Sequence, residues 1–101
     1  MKKAIRIGKE DNVAVVAQDT EKGDLLDCSG LEVAAGEAIP LGHKIALAPI
    51  GQGSLVVKFG VPIGRARADI RAGDYVHVHN VEDITAELCE QYEKKFRGTG
   101  A

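Results

Sequence analysis

The chain is poor in aromatics and cysteine: 101 residues hold no tryptophan, two tyrosines, two phenylalanines and two cysteines. Four rings are few for stacking on bases, and a formal charge of −2 leaves no net-basic surface, so nucleic acid is excluded as a partner. Long apolar runs are also missing. Val13 to Ala17 falls far short of a bilayer span, so no membrane association is expected. The opening Met1-Lys2-Lys3-Ala4-Ile5-Arg6-Ile7 alternates charged and apolar residues and lacks the apolar block of a secretory signal. The expected location is therefore the cytoplasm, with Cys28 and Cys89 as reduced thiols. Neither has a neighbour that would make it a nucleophile. There is no phosphate loop, dinucleotide fingerprint, Cys-x-x-Cys pair or serine in a nucleophile elbow. Glu10-Asp11 and Glu82-Asp83 are adjacent carboxylates, which a strand would send to opposite faces, so they do not form a catalytic pair.

What is present is an ordinary globular balance, 45% hydrophobic and 28% charged, in a chain long enough for one small domain. Short apolar runs at 3–7, 12–17, 44–47, 55–59 and 75–79 read as strands. Glycines between them mark turns, and no segment before residue 82 sustains a helical period. A turn signature recurs: Glu21-Lys22-Gly23-Asp24, Gly51-Gln52-Gly53-Ser54 and Arg71-Ala72-Gly73-Asp74 each lead into apolar residues. Glycine there supplies a positive φ, and the following Asp or Ser caps free amides. A second recurrence, Ile39-Pro40-Leu41-Gly42 and Val61-Pro62-Ile63-Gly64, suggests an imperfect repeat that stitches short strands into a folded-over sheet.

From residue 82 the pattern changes. Ile84, Leu88, Tyr92 and Phe96 recur every four residues, which predicts a helix over 84–96 with acidic residues near its start and basic ones near its end. The expected division is a β-domain over 1–81 and a helix and tail over 82–101.

Histidine is the most informative local feature. Of three, two form His77-Val78-His79, followed by Asn80. On a strand, residues two apart share a face at about 7 Å, which would align Tyr75, His77 and His79. Such a pair suits metal ligation, carboxylate binding or acid–base work, and equally fits the wet face of an amphipathic strand. His43 and Lys44 follow the Pro40-x-Gly42 turn, a placement that suits an anionic ligand or a plain surface loop. Arg65, Arg67 and Asp69 alternate, and guanidinium groups there would grip a carboxylate or simply face solvent.

Taken together, Asp11-Asn12-Val13-Ala14-Val15, Gly42-His43-Lys44-Ile45-Ala46-Leu47, Lys58-Phe59-Gly60-Val61-Pro62-Ile63-Gly64 and His77-Val78-His79-Asn80 resemble the SAF-type N-terminal domain or small subunit of the altronate/galactarate dehydratase family. The resemblance implies a mainly β, SAF-type β-clip of folded-over short strands with one C-terminal helix. It also implies part of a hydro-lyase that turns an altronate-type sugar acid into a 2-keto-3-deoxy acid. A large catalytic subunit or C-terminal domain would be the partner, and a small hydroxy acid the substrate, with homo-oligomerisation left open. The complete enzyme would use a divalent metal, iron or manganese, none of it tightly bound to this chain alone. His43, His77 and His79 are the catalytic candidates, and Lys44 and Arg65 the substrate-binding ones. The other readings are the small subunit of a sulfolactate sulfo-lyase-type carbon–sulfur lyase and a non-catalytic SAF ligand-binding module.

Overall fold

The computed structural model describes residues 1–84, and the expected helix over 84–96, with Cys89, lies outside them apart from its first residue. Among the described residues there are nine short strands and no helix. They are β1 (Lys2–Ile5), β2 (Val13–Val16), β3 (Leu25–Cys28), β4 (Leu31–Ala34), β5 (Lys44–Ala46), β6 (Leu55–Lys58), β7 (Val61–Ala66), β8 (Tyr75–Val76) and β9 (Val81–Asp83). Six make one sheet in the order β4-β3-β1-β2-β5-β8, and β6-β7-β9 make another. All neighbours are antiparallel except β1 and β3. Glu82 and Asp83, on the tail side of the expected boundary, pair with Arg65 and Gly64 in the smaller sheet.

Strand alternation feeds two cores. Ala14, Val16 and Ile45 point into one with Leu26, Cys28, Val33 and Ile39. Val13 and Ala46, their immediate neighbours, point into the other with Val56, Ala66, Ile70 and Val76. β2 and β5 thus serve both cores and fix the two sheets against each other.

The turn signature folds as its chemistry requires. Gly23, Gly53 and Gly73 have φ of +92°, +86° and +91°. Asp24 Oδ2 accepts the Glu21 amide at 2.8 Å, and Asp74 Oδ2 accepts the Arg71 amide at 2.9 Å. The second recurrence does not hold. Val61-Pro62-Ile63-Gly64 lies inside β7, whereas Ile39 forms an isolated bridge to Thr20. The counterpart of that bridge is Ile50 to Ile70. The repeating unit is therefore a hairpin flanked by two bridging segments, β3–β4 in one copy and β6–β7 in the other. Both hairpins turn through two residues of positive φ, Ser29-Gly30 and Phe59-Gly60, the type I′ geometry that matches strand twist.

Asp11 and Asn12 tie the β1–β2 connection to the second hairpin. The buried Asp11 carboxylate accepts the amides of Ile7, Gly8, Phe59 and Gly60 at 2.7–3.3 Å. Burial alone would push its pKa up, but the four amides outweigh this and hold it below the usual carboxylate value. Asn12 reads the edge of β6 through Oδ1, which accepts the Val57 amide, and Nδ2, which donates to the Leu55 carbonyl. Cys28 is fully buried, and burial pushes its thiol pKa up, as suits an inert core residue.

Candidate functional site

The expected strand over 75–79 stops at Val76 because Asn80 bends the chain. Asn80 Oδ1 accepts the His77 amide and its Nδ2 donates to the Tyr75 carbonyl, both at 2.9 Å. The His77 carbonyl then accepts the amides of Asn80 and Val81. The shared-face argument for His77 and His79 therefore fails in its geometry, since both sit in a turn. The histidines are gathered by other means. β5 and β8 pair with Lys44 opposite Val76, so one step further His43 faces His77. Their ring centroids lie 5.0 Å apart.

Tyr75 completes the cluster. Its phenol shares a 2.5 Å hydrogen bond with His43 Nδ1, its ring stacks on His77 at 5.5 Å, and its edge meets His79 at 5.6 Å. The tyrosine packs against the first core, which anchors the group.

Next to this cluster lies a cavity of about 340 Å³, at the junction of the two sheets. Lys44, Lys58 and Arg67 line it together with His77, Asp83 and the apolar Ile63, Val78 and Val81. Burial lowers the Lys44 pKa, and the charge of Lys58 lowers it further. His77 is shifted the same way, first by burial and then by the charges of His43, Lys44 and His79. A site that disfavours its own positive charges is one that an anion would relieve. The apolar walls suit the carbon skeleton between anionic groups.

Of the candidates read from the sequence, Lys44 and His77 line the cavity, His43 touches His77, and His79 reaches the group through Tyr75. Arg65 is not among the lining residues; its Nη1 donates to the Gly53 carbonyl at 3.0 Å. Lys58 and Tyr75 were not among the candidate site residues, and Arg67 was weighed beside Arg65 as a carboxylate grip without being chosen. Lys58 sits in a motif that the family resemblance used, and Arg67 in the alternating arginine segment. Tyr75 was expected on one face with His77 and His79, but its contact with His43 comes from strand pairing. Among the described residues no three His, Cys, Asp or Glu side chains group so as to hold a metal ion. His43 and Tyr75 engage each other through Nδ1 and the phenol, so the described residues offer no ready-made donor set for a divalent ion. Among the described residues no helix is long and apolar enough to cross a membrane.

A family model for the altronate/galactarate dehydratase SAF domain matches residues 2–84, nearly the whole described fold. The chain belongs to that family. Altronate dehydratase of Bacillus subtilis (strain 168) is 43% identical over 88 residues, 87% of this chain and 18% of the relative. Altronate dehydratase of Escherichia coli (strain K12) is 41% identical over 94 residues, covering 92% and 19%. The alpha subunit of (2R)-sulfolactate sulfo-lyase from Chromohalobacter salexigens is 38% identical over 74 residues, covering 67% and 79%. This SAF domain thus spans about a fifth of the two dehydratases and most of the sulfo-lyase subunit. Its Asp11-Asn12 motif clamps the β1–β2 connection to the second hairpin and its Phe59-Gly60 turn, while Lys44, Lys58 and His77 line the cavity.

Proposed function

We propose that this SAF domain forms one wall of the substrate pocket of a sugar-acid dehydratase, an altronate-type hydro-lyase that yields a 2-keto-3-deoxy acid. The observation that carries the reading is the cavity where Lys44, Lys58 and Arg67 surround His77. Three cations against the single carboxylate of Asp83 suit the carboxylate of a hydroxy acid, and charge-assisted hydrogen bonds from them would fix its orientation. His77, whose charged form is disfavoured, is the group beside that carboxylate suited to accept a proton. His43 and His79 flank it and complete the proposed catalytic set.

Elimination also needs a base for the α-proton, charge stabilisation for the resulting oxyanion and help for the departing hydroxyl, in a water-poor cleft. The larger catalytic part is assigned the rest of these, including any divalent iron or manganese. The test mixes this chain with its cognate large subunit or domain, divalent iron or manganese, and altronate, and follows the 2-keto-3-deoxy product. Turnover is expected only from the mixture, and His43→Ala should lower it at least a hundredfold. Full activity from the large part alone, or comparable activity from this chain alone, would overturn the assignment.

A second reading has its own support. The chain covers 79% of a free-standing sulfo-lyase subunit but 18% of a dehydratase. Supplying (2R)-sulfolactate in the same assay and measuring sulfite release separates the two.

A further inference from the structure

Tyr75 contacts all three histidines and is itself tightly held. Its amide donates to Glu37 Oε2, its carbonyl accepts Asn80 Nδ2, and its ring leans on the first core. The phenol therefore has little freedom to leave His43. Either partner is able to donate in the 2.5 Å bond between Oη and Nδ1. That separation is below the roughly 2.7–3.2 Å typical of an N–H donor to oxygen. A phenol is also a far stronger acid than a neutral imidazole N–H.

We infer that Tyr75 is a positioning residue that donates its phenol O–H to Nδ1 of His43 and so holds the neutral ring in its Nε2–H form. A neutral imidazole has one donor nitrogen and one acceptor. Occupying Nδ1 as acceptor leaves Nε2 as a fixed donor, able to bond an anionic oxygen. That the oxygen belongs to a hydroxy acid rests on the function proposed above; the tautomer does not.

The same stacking sets the division of labour. Tyr75 lies flat on His77, 18° from parallel, and meets His43 at 72°, so one ring orients both imidazoles differently. Loss of the hydroxyl alone should free His43 and leave the His77 stack in place. Tyr75→Phe isolates that effect.

The experiment records long-range nitrogen–proton NMR spectra of the histidine rings in the full chain near neutral pH. In the unsubstituted protein, His43 should show an unprotonated, hydrogen-bonded Nδ1 and a protonated Nε2. Tyr75→Phe should move the Nδ1 signal and give a mixture of tautomers, with the backbone amide spectrum of β1–β4 unchanged. A proton on His43 Nδ1 in the unsubstituted chain overturns the inference without needing any variant. In the reconstituted enzyme Tyr75→Phe should lower kcat about tenfold with little change in KM, and should add nothing once His43 is alanine. The inferred tautomer with undiminished turnover would leave the Tyr75–His43 assignment standing and overturn the catalytic role given to His43.

Discussion

The two hairpin copies have nearly the same plan and opposite fates. β3–β4 pairs Leu25 with Ala34, Leu26 with Val33, Asp27 with Glu32 and Cys28 with Leu31. β6–β7 pairs Leu55 with Arg65, Val56 with Gly64, Val57 with Pro62 and Lys58 with Val61. The registers agree at the turn and then slip by one residue, at an irregularity between Val56 and Val57. The extra residue is Ile63, which lines the cavity. The first copy is regular, sits in the large sheet and buries Cys28. The second places Lys58 where the first has Cys28, and it carries the anion-binding side of the proposed site. A one-residue bulge that re-aims side chains is a usual way to turn a structural strand into a functional one.

The turns differ in what holds them. In the first hairpin Asp27, within β3, accepts the Gly30 amide at 2.8 Å. In the second the corresponding position is Val57, and Asp11 reaches over from the β1–β2 connection to take both turn amides. Asp11→Ala should therefore be the most damaging change, leaving four amides without their acceptor at about 4 kcal/mol of stability. Asp27→Ala should cost only a fraction of that. Denaturant melts of both variants test this, and equal losses would break the contrast. Because its folded pKa is depressed, Asp11 contributes stability above the ordinary carboxylate range and loses it as pH falls through the folded value. The acid limb of the stability profile should flatten in Asp11→Ala.

The next contrast concerns Gly64, whose counterpart in the first hairpin is the buried Val33. A Cβ at Gly64 would collide with the Val81 side chain and approach the Glu82 carbonyl at 2.8 Å, because β9 pairs closely alongside it. Gly64→Ala should destabilise by about 2 kcal/mol and displace β9, read as a lower melting temperature and as lost amide protection at Val81–Asp83. Unchanged protection there would mean that β9 does not need the glycine.

A smaller effect is expected at the turn tips. Phe59 holds φ of +54°, a costly conformation for a bulky side chain, and is part-exposed. Phe59→Asn should raise stability by about 1 kcal/mol. Ser29 has the same φ, but its Oγ accepts the Arg6 amide, so Ser29→Asn should gain nothing.

How much of this was legible follows from the range of the interactions. The glycine turns were readable because a positive φ and an Asp cap are local facts. β3 and β4 escaped notice because Asp27, Ser29 and Glu32 break the apolar run in a hairpin that is half exposed. The strand expected through His79 was cut short by the side chain of Asn80, which no alternation pattern weighs. At the site, Lys44 and the histidines carried visible chemistry, whereas Tyr75, aligned with His77 and His79 by alternation alone, met His43 only once β8 was paired with β5. Arg65 and Arg67 were indistinguishable as letters. Only the end of β7 at Ala66 separates the arginine held by Gly53 from the one that lines the cavity.

On the proposed function, the second hairpin, unlike the first, meets the substrate. The direct measurement compares Lys58→Gln with Glu32→Gln in the reconstituted enzyme, by steady-state kinetics with altronate. Lys58→Gln should raise KM about tenfold or more with a smaller change in kcat, the mark of a lost charge-assisted contact to substrate, while Glu32→Gln should leave both constants unchanged. An unaltered KM in Lys58→Gln, with product formed at the full rate, would contradict the account.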